Sequence, residues 1–175
     1  MAQRTLFFDL DETLVSTGTV PGAPRVTVPS GLRGVPPVAY SVLVRPGAEV
    51  ALQAAREHFD AVHVFTAASL PYALAVLDAT GLRDLVDEVY TVEDVFSGKQ
   101  DTPNLRQGSW ALVDNDEGIA MSKVSAFALG EPIRAAMRRY WIPIADFAPL
   151  RMGDVAKYPN HDLLLSVYEA EQRVP

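Results

Sequence analysis

"TLFFDLDETLV", residues 5–15, carries an apolar run straight into two aspartates spaced two apart, with a glutamate beside them. A short, nearly continuous apolar run of this kind suits a central parallel strand, which is covered on both faces. Asp9 and Asp11 then stand at the strand's carboxyl end. A helix-capping acidic turn is the bland alternative. Two close carboxylates after a buried strand repel, however, unless a cation or another partner compensates them. The pair is therefore read as a chemical site.

Working outward, "DAVHVFTA" (60–67) is a second buried strand, and "RPGAEVALQAAREHF" (45–59) between the two is a helix starting near Pro46. Val50, Leu52, Ala54, Ala55 and Phe59 are available for its inner face. "SLPYALAVLDATGL" has Ser69 as cap, Pro71 in the first turn and Gly81 as the stop. "DEVYTV" and "SWALVDND" supply further strands, "EPIRAAMRRYWIPIADF" a short helix and a strand, and "PNHDLLLSVYEAEQR" a terminal helix. This alternation predicts an α/β fold, a doubly wound, Rossmann-like parallel sheet with helices on both faces, whose ligands sit outside the carboxyl ends of its strands. Asp9, Thr66 and Asp114 all fall at such ends. The stretch of about 16–44 breaks the rhythm: it is rich in Pro, Gly, Ser and Thr yet holds "RVTV" and "VAYSVLV". It reads as a projecting β-hairpin flap inserted after the first strand, with a disordered loop as the alternative.

With 175 residues, 49% of them hydrophobic, the chain fits a single domain, 1–175. A formal net charge of −7 argues against nucleic acid or an anionic membrane as partner. The absence of cysteine excludes disulfides, thiolate zinc sites and a cysteine nucleophile. No secretory leader or bilayer-length apolar run is evident, so a cytoplasmic protein is expected.

An aspartate at a strand end, with another two residues on, can set one carboxylate and a backbone carbonyl around a hard cation, leaving the second side chain free as acid and base. Such oxygen ligands suit Mg²⁺. A calcium-binding EF-hand loop starting at Asp9 would need Gly at Leu14 and Glu at Val20 and has neither. His58, His63 and His161 are too scattered for a metal cluster and are assigned no chemistry. Arg45 either reaches toward a phosphate or pairs with an acid near the helix start, the structural reading being favoured, and Arg134, Arg138 and Arg139 read as either a basic patch for a phosphorylated partner or a solvated face.

"DLDETLV", "VLVRPGAEVAL", "HVFTAASLPYA" and "LVDND" follow one another in the order of motifs of the haloacid dehalogenase superfamily. The sequence resembles in particular the branch of phosphatases that act on the RNA polymerase C-terminal domain, with their NLI-interacting-factor-like relatives. The resemblance covers roughly residues 4–118. It implies Mg²⁺-dependent phosphomonoester hydrolysis through an aspartyl phosphate. Asp9 would be the nucleophile, and Asp11 the acid and then the base, with its backbone carbonyl on the metal. Thr66 and the amides of Ala67 and Ala68 would hold phosphate oxygens. Asp114 and Asn115 would complete a metal site with Asp9 and Asp11, directly or through water. For the family's phosphate-neutralising lysine, "SGKQDTPNL" offers Lys99 ahead of Asp114, whereas Lys123 and Lys157 lie on the wrong side of the fourth motif. Asp116 and Glu117 are expected to start the next helix.

The interval between Asp9 and Thr66 must hold both flap and helix, which leaves little room for a folded cap. An open site follows, and with it a phosphorylated protein, as phosphoserine or phosphothreonine, or another exposed phosphomonoester. "DEVYTVEDVF" lacks the arginine-bearing pattern of the eukaryotic members, so their substrate does not carry over. The alternatives are a phosphatase for a nucleotide, nucleic acid end or small metabolite, a phosphoprotein-binding module without turnover, or a receiver-like domain; an acceptor aspartate on the first strand disfavours the last.

Overall fold

The computed structural model describes residues 3–29, 34–100, 109–128 and 130–175. Five parallel strands form the central sheet: β1 (Arg4–Phe8), β5 (Ala61–Thr66), β6 (Glu88–Thr91), β7 (Ser109–Asp114) and β8 (Trp141–Pro143). Their spatial order is β6-β5-β1-β7-β8. The chain winds outward from β1 through β5 to β6, then returns to lay β7 on the other side of β1. The order of strands thus reverses between β1 and β7, which is where a doubly wound sheet opens a crevice for ligands.

The pleat divides the core. Leu6 and Phe8 of β1 enter one apolar cluster and Phe7 the other, as expected of a strand whose side chains alternate between faces. On the first face lie α1 (Ala48–His58), α2 (Leu70–Thr80) and α6 (Asp162–Arg173), which contribute Ala51, Leu77 and Val167 among others. On the second lie α3 (Val92–Phe96), α4 (Glu117–Phe127) and α5 (Ile133–Tyr140), with Val95, Val124, Phe127 and Met137. The doubly wound α/β expectation therefore holds.

Local signals act where they were read. Gly81, at φ 72°, closes α2, and Asp116 caps α4 by accepting from the Ile119 amide at 2.8 Å. Gly47 starts α1 at φ 81°, and a Cβ there would lie 1.9 Å from the Asn160 carbonyl oxygen, so the Arg-Pro-Gly turn needs glycine twice over. Val50, expected on the inner face of α1, is instead 55% exposed. The buried stripe is Ala48, Ala51, Leu52 and Ala55.

The antiparallel flap expected after the first strand is present, with one strand more than a simple hairpin. It is a three-stranded antiparallel sheet of β2 (Val15–Gly18), β3 (Arg25–Val28) and β4 (Val38–Val44), ordered β2-β4-β3. Val15, Val26, Val28 and Val42 join the core cluster on the α1 and α2 side of the main sheet, while Val20, Ala23 and Leu43 enclose Phe147. Packing on both faces explains why the insertion docks rather than projects. Residues 30–33 of the flap, and 101–105 of the stretch read around Lys99, lie outside the described residues.

Candidate active site

Sheet register brings the site together. Phe8 pairs with Val113 across β1 and β7, and the Asp9 amide donates to the Val113 carbonyl at 2.9 Å. Continuing that register by one residue sets Asp9 beside Asp114, two aspartates far apart in the chain and adjacent at the strand ends. On the other flank, β5 ends at Thr66.

Between the two aspartates stands Lys123. Its Nζ donates to Asp9 Oδ1 and to Asp114 Oδ2, each at 2.6 Å, and the lysine is fully buried. Lys99, expected in this role, lies elsewhere: it is exposed in the turn after α3, where its amide donates to the Asp94 carbonyl, and no contact joins it to Asp9 among the described residues. The reason is topological. Helix α4 lies over the second face of the sheet, and Ala120, Lys123, Val124 and Phe127 share its buried side. A lysine within an apolar i, i+3, i+4, i+7 stripe, directly after the fourth motif, was the signal available in the sequence.

Burial pushes Asp9 above the ordinary carboxylate range; Lys123 opposes the shift and the charge on Asp11 adds to it. Burial and then Asp9 push Asp114 up to about 6, again against Lys123. Two buried carboxylates sharing one ammonium remain short of positive charge.

Asp11 faces elsewhere. Its Oδ1 accepts from the Tyr72 hydroxyl at 2.5 Å and from Thr17 Oγ1 at 3.2 Å, and those two hydroxyls are 2.5 Å apart. Burial raises the pKa of Asp11, while the hydrogen bonds from Tyr72 and Thr17 lower it. Burial also raises that of Tyr72, which therefore stays a neutral donor. Asp11 borders a cleft of about 600 Å³ between the flap and α2, with Val28, Pro29, Val38 and Tyr40 on the flap side and Ser69 and Tyr72 opposite. Asp9, only 6% exposed, is not part of that lining.

The turn that sets Asp9 and Asp11 apart is held from outside. Glu12 adopts φ 61°, which costs a residue with a Cβ about 1–2 kcal/mol. Its carbonyl accepts from the Phe147 amide at 2.7 Å and from Arg45 Nη1 at 3.4 Å, and Arg45 Nη1 also donates to the Ala145 carbonyl at 2.8 Å. Arg45 is 1% exposed and fixes the loop, as the sequence suggested.

Thr66 is buried at its strand end, and its Oγ1 accepts from the Ala68 amide at 3.0 Å. The Ala68 N–H expected to face phosphate thus already has a partner, whereas Ala67 is exposed. Asn115 turns its oxygen to Thr13 Oγ1 at 2.9 Å and its Nδ2 to Asp146 at 3.2 Å and Glu12 at 3.4 Å, so it ties the turn to β7. No group of three acidic or histidine side chains is gathered for a metal among the described residues. The donor types still suit a hard cation: Asp9 and Asp114 supply carboxylate oxygens, and the Lys123 ammonium is the one positive charge that meets both of them among the described residues. His58 pairs with Glu171 on the surface, His63 packs in β5 and His161 precedes α6, all away from this chemistry.

A doubly wound sheet with an Asp-x-Asp turn after its first strand, and a buried lysine joining it to the aspartate of the neighbouring strand, defines an α/β protein with a carboxylate–lysine site at the carboxyl edge of its sheet. A family model described as NLI interacting factor-like phosphatase matches residues 4–106, more than half of the sequence, and the chain belongs to that family. Among solved structures it is similar to a variant of the RNA polymerase II CTD phosphatase Fcp1 from fission yeast bound to beryllium fluoride, at 17% identity and a TM-score of 0.54. That likeness, which speaks to fold, covers 98% of this chain and 52% of the other, so the chain spans about half the length of that relative. The HAD domain of the effector protein Lem4 from Legionella pneumophila aligns at 11% identity and a TM-score of 0.47, covering 97% of each chain. No curated protein matches the sequence. No helix among the described residues is long and apolar enough to cross a membrane.

Proposed function

We propose that the chain is a Mg²⁺-dependent phosphomonoesterase that works through an aspartyl phosphate on Asp9 and takes its phosphate from a protein serine or threonine. The observation that carries the reading is the Lys123 ammonium at 2.6 Å from both Asp9 and Asp114. A buried ammonium placed there without reorganisation offsets the negative charge that spreads over the phosphoryl oxygens in the transition state. It also opposes the burial that raises the pKa of Asp9. Asp9 and Asp114, with the Asp11 carbonyl, would hold Mg²⁺, which when bound supplies the further positive charge that lets an anionic ester approach two carboxylates.

Asp9 attacks phosphorus in line as the ester bond to the alcohol breaks, and Asp11 gives its proton to the leaving oxygen. Asp11 then takes a proton from the water that releases phosphate and regenerates the Asp9 carboxylate. Tyr72 and Thr17 hold Asp11 at the rim of the cleft for both transfers. Thr66, at the end of β5, would meet the phosphate oxygens with its hydroxyl. Beryllium fluoride, present in the Fcp1 structure, is a tetrahedral mimic of a phosphoryl group, which agrees with such an intermediate in that relative. Protein is favoured as substrate because the cleft is walled by a docked β-sheet and one helix and has no helical cap among the described residues.

The test is hydrolysis of an aryl phosphate with and without Mg²⁺ by the native chain and by Asp9→Asn. Metal-dependent turnover that disappears in the variant is expected. An inactive native chain with metal present, or a variant of undiminished rate, overturns the assignment. Comparing a phosphoserine peptide with sugar phosphates and nucleotides tests the substrate class, and preference for a small phosphate would replace the protein reading.

A further inference from the structure

A second groove, of about 760 Å³, lies between α4, α5, β8 and the end of α6, and none of the residues assigned to phosphate chemistry lines it. Its floor is apolar: Met121, Ile133, Met137, Trp141 and Pro143. Met137 is buried, whereas Met121 is 41% exposed. Arg134 and Arg138, one turn apart on α5, line the same groove.

The three arginines of α5 are not equivalent. Arg139 pairs with Glu131 at 3.4 Å and lies over the Tyr140 ring. Arg134 and Arg138 are exposed and have no ion pair among the described residues, although the chain carries 22 acidic residues. Like charges at i, i+4 disfavour a helix by a few tenths of a kcal/mol. Arg173 helps to build the wall: its Nη1 donates to the Trp141 carbonyl at 2.8 Å and the Arg138 carbonyl at 3.3 Å, while its Nη2 pairs with Glu169. Glu117 is the one acid in the lining among the described residues.

We infer that this groove docks an acidic peptide segment of a partner protein, with an apolar side chain on the Met-Trp floor and its carboxylates on Arg134 and Arg138. Charge complementarity carries the choice. Two guanidinia without an ion pair among the described residues, beside an apolar trough on a chain of net charge −7, recruit a short acidic stretch that combines apolar and charged groups. A nucleic acid strand needs a longer basic track, which this groove lacks. The inference goes beyond the phosphatase reading and does not depend on it.

Fluorescence anisotropy on the full chain tests it, with a labelled peptide that has a Leu-Phe pair between runs of glutamate. The native protein is expected to bind this peptide in preference to its lysine counterpart. The Arg134→Glu/Arg138→Glu variant should lose about tenfold or more in affinity and gain binding to the lysine peptide. Replacing the Leu-Phe pair by serines should weaken binding about fivefold or more. Both arginines are exposed, so aryl phosphate turnover by the variant should match the native rate and report an intact fold. The inference is overturned if native protein does not distinguish the two charged peptides, if the double variant binds the glutamate peptide as native does, or if a single-stranded oligonucleotide binds more tightly than the peptide.

Discussion

The carboxyl edge shared by β1 and β7 and the flap sheet are both made of short, β-branched and aromatic strands, yet they are buried differently. In β1 and β7 every residue after the first is buried, whereas β3 alternates exposed and buried and β4 begins with exposed residues before its buried centre. The main sheet is closed on both faces by helices, so a polar group at its edge can be held in one place by apolar neighbours. Lys123 is such a group, its ammonium 5.8 Å from the Phe65 ring centroid and bound to two carboxylates. The flap leaves Val38 46% exposed at the lip of the cleft. The buried edge holds fixed charge in one place, and the half-exposed flap offers an accessible apolar surface beside the cleft.

The largest effect should come from the edge. Lys123→Met should lower kcat/KM for an aryl phosphate by on the order of 10²–10³-fold, while Lys99→Met should leave it unchanged. Equal losses in the two variants, measured in one steady-state assay, would remove the distinction between buried and surface lysine.

A smaller effect is expected at the flap. Val38→Glu places a carboxylate at the lip of the cleft without disturbing the core, so KM for a phosphopeptide should rise roughly threefold to tenfold with kcat nearly unchanged. Thermal unfolding should stay within the narrow range usual for surface substitutions, about 0.5 kcal/mol. A fall in kcat at constant KM would show that the flap serves the chemistry and not substrate capture.

The smallest effect lies in the sheet interior. His63 is buried between Phe7 and Tyr90, with ring centroids 5.3 Å away in each case, and its Nδ1 has no hydrogen-bond partner among the described residues. Burial lowers its pKa below the ordinary 6.5, with Asp87 and Glu88 opposing. A group whose folded pKa is depressed contributes stability above its unfolded pKa and loses it as pH falls toward the folded value. The native protein should therefore lose more unfolding free energy than His63→Phe between about pH 8 and about pH 5.5. Parallel pH profiles of Tm for the two proteins would contradict this.

Much of the fold was legible because its signals are local. The apolar run before Asp9, Pro71 and Gly81 around α2, and Asp116 before α4 each specify an element through interactions within a few residues. The flap was only partly legible. "RVTV" and "VAYSVLV" read as strands, but "VSTG" is a strand only because Val15 pairs with Val44 across the insertion. Exposed Val50 shows the same limit, since the face a helix buries depends on what packs against it.

The sequence by itself determined that two carboxylates would stand at the end of the first buried strand and that Asp114 would end another, because hydrophobic run length and motif order are properties of the chain. Only the tertiary structure decided which lysine meets them. Lys123 and Asp9 are 114 positions apart, and they touch because β7 returns beside β1 and α4 is laid over that junction. A charge partner is chosen by sheet order and helix packing, which no local spacing encodes.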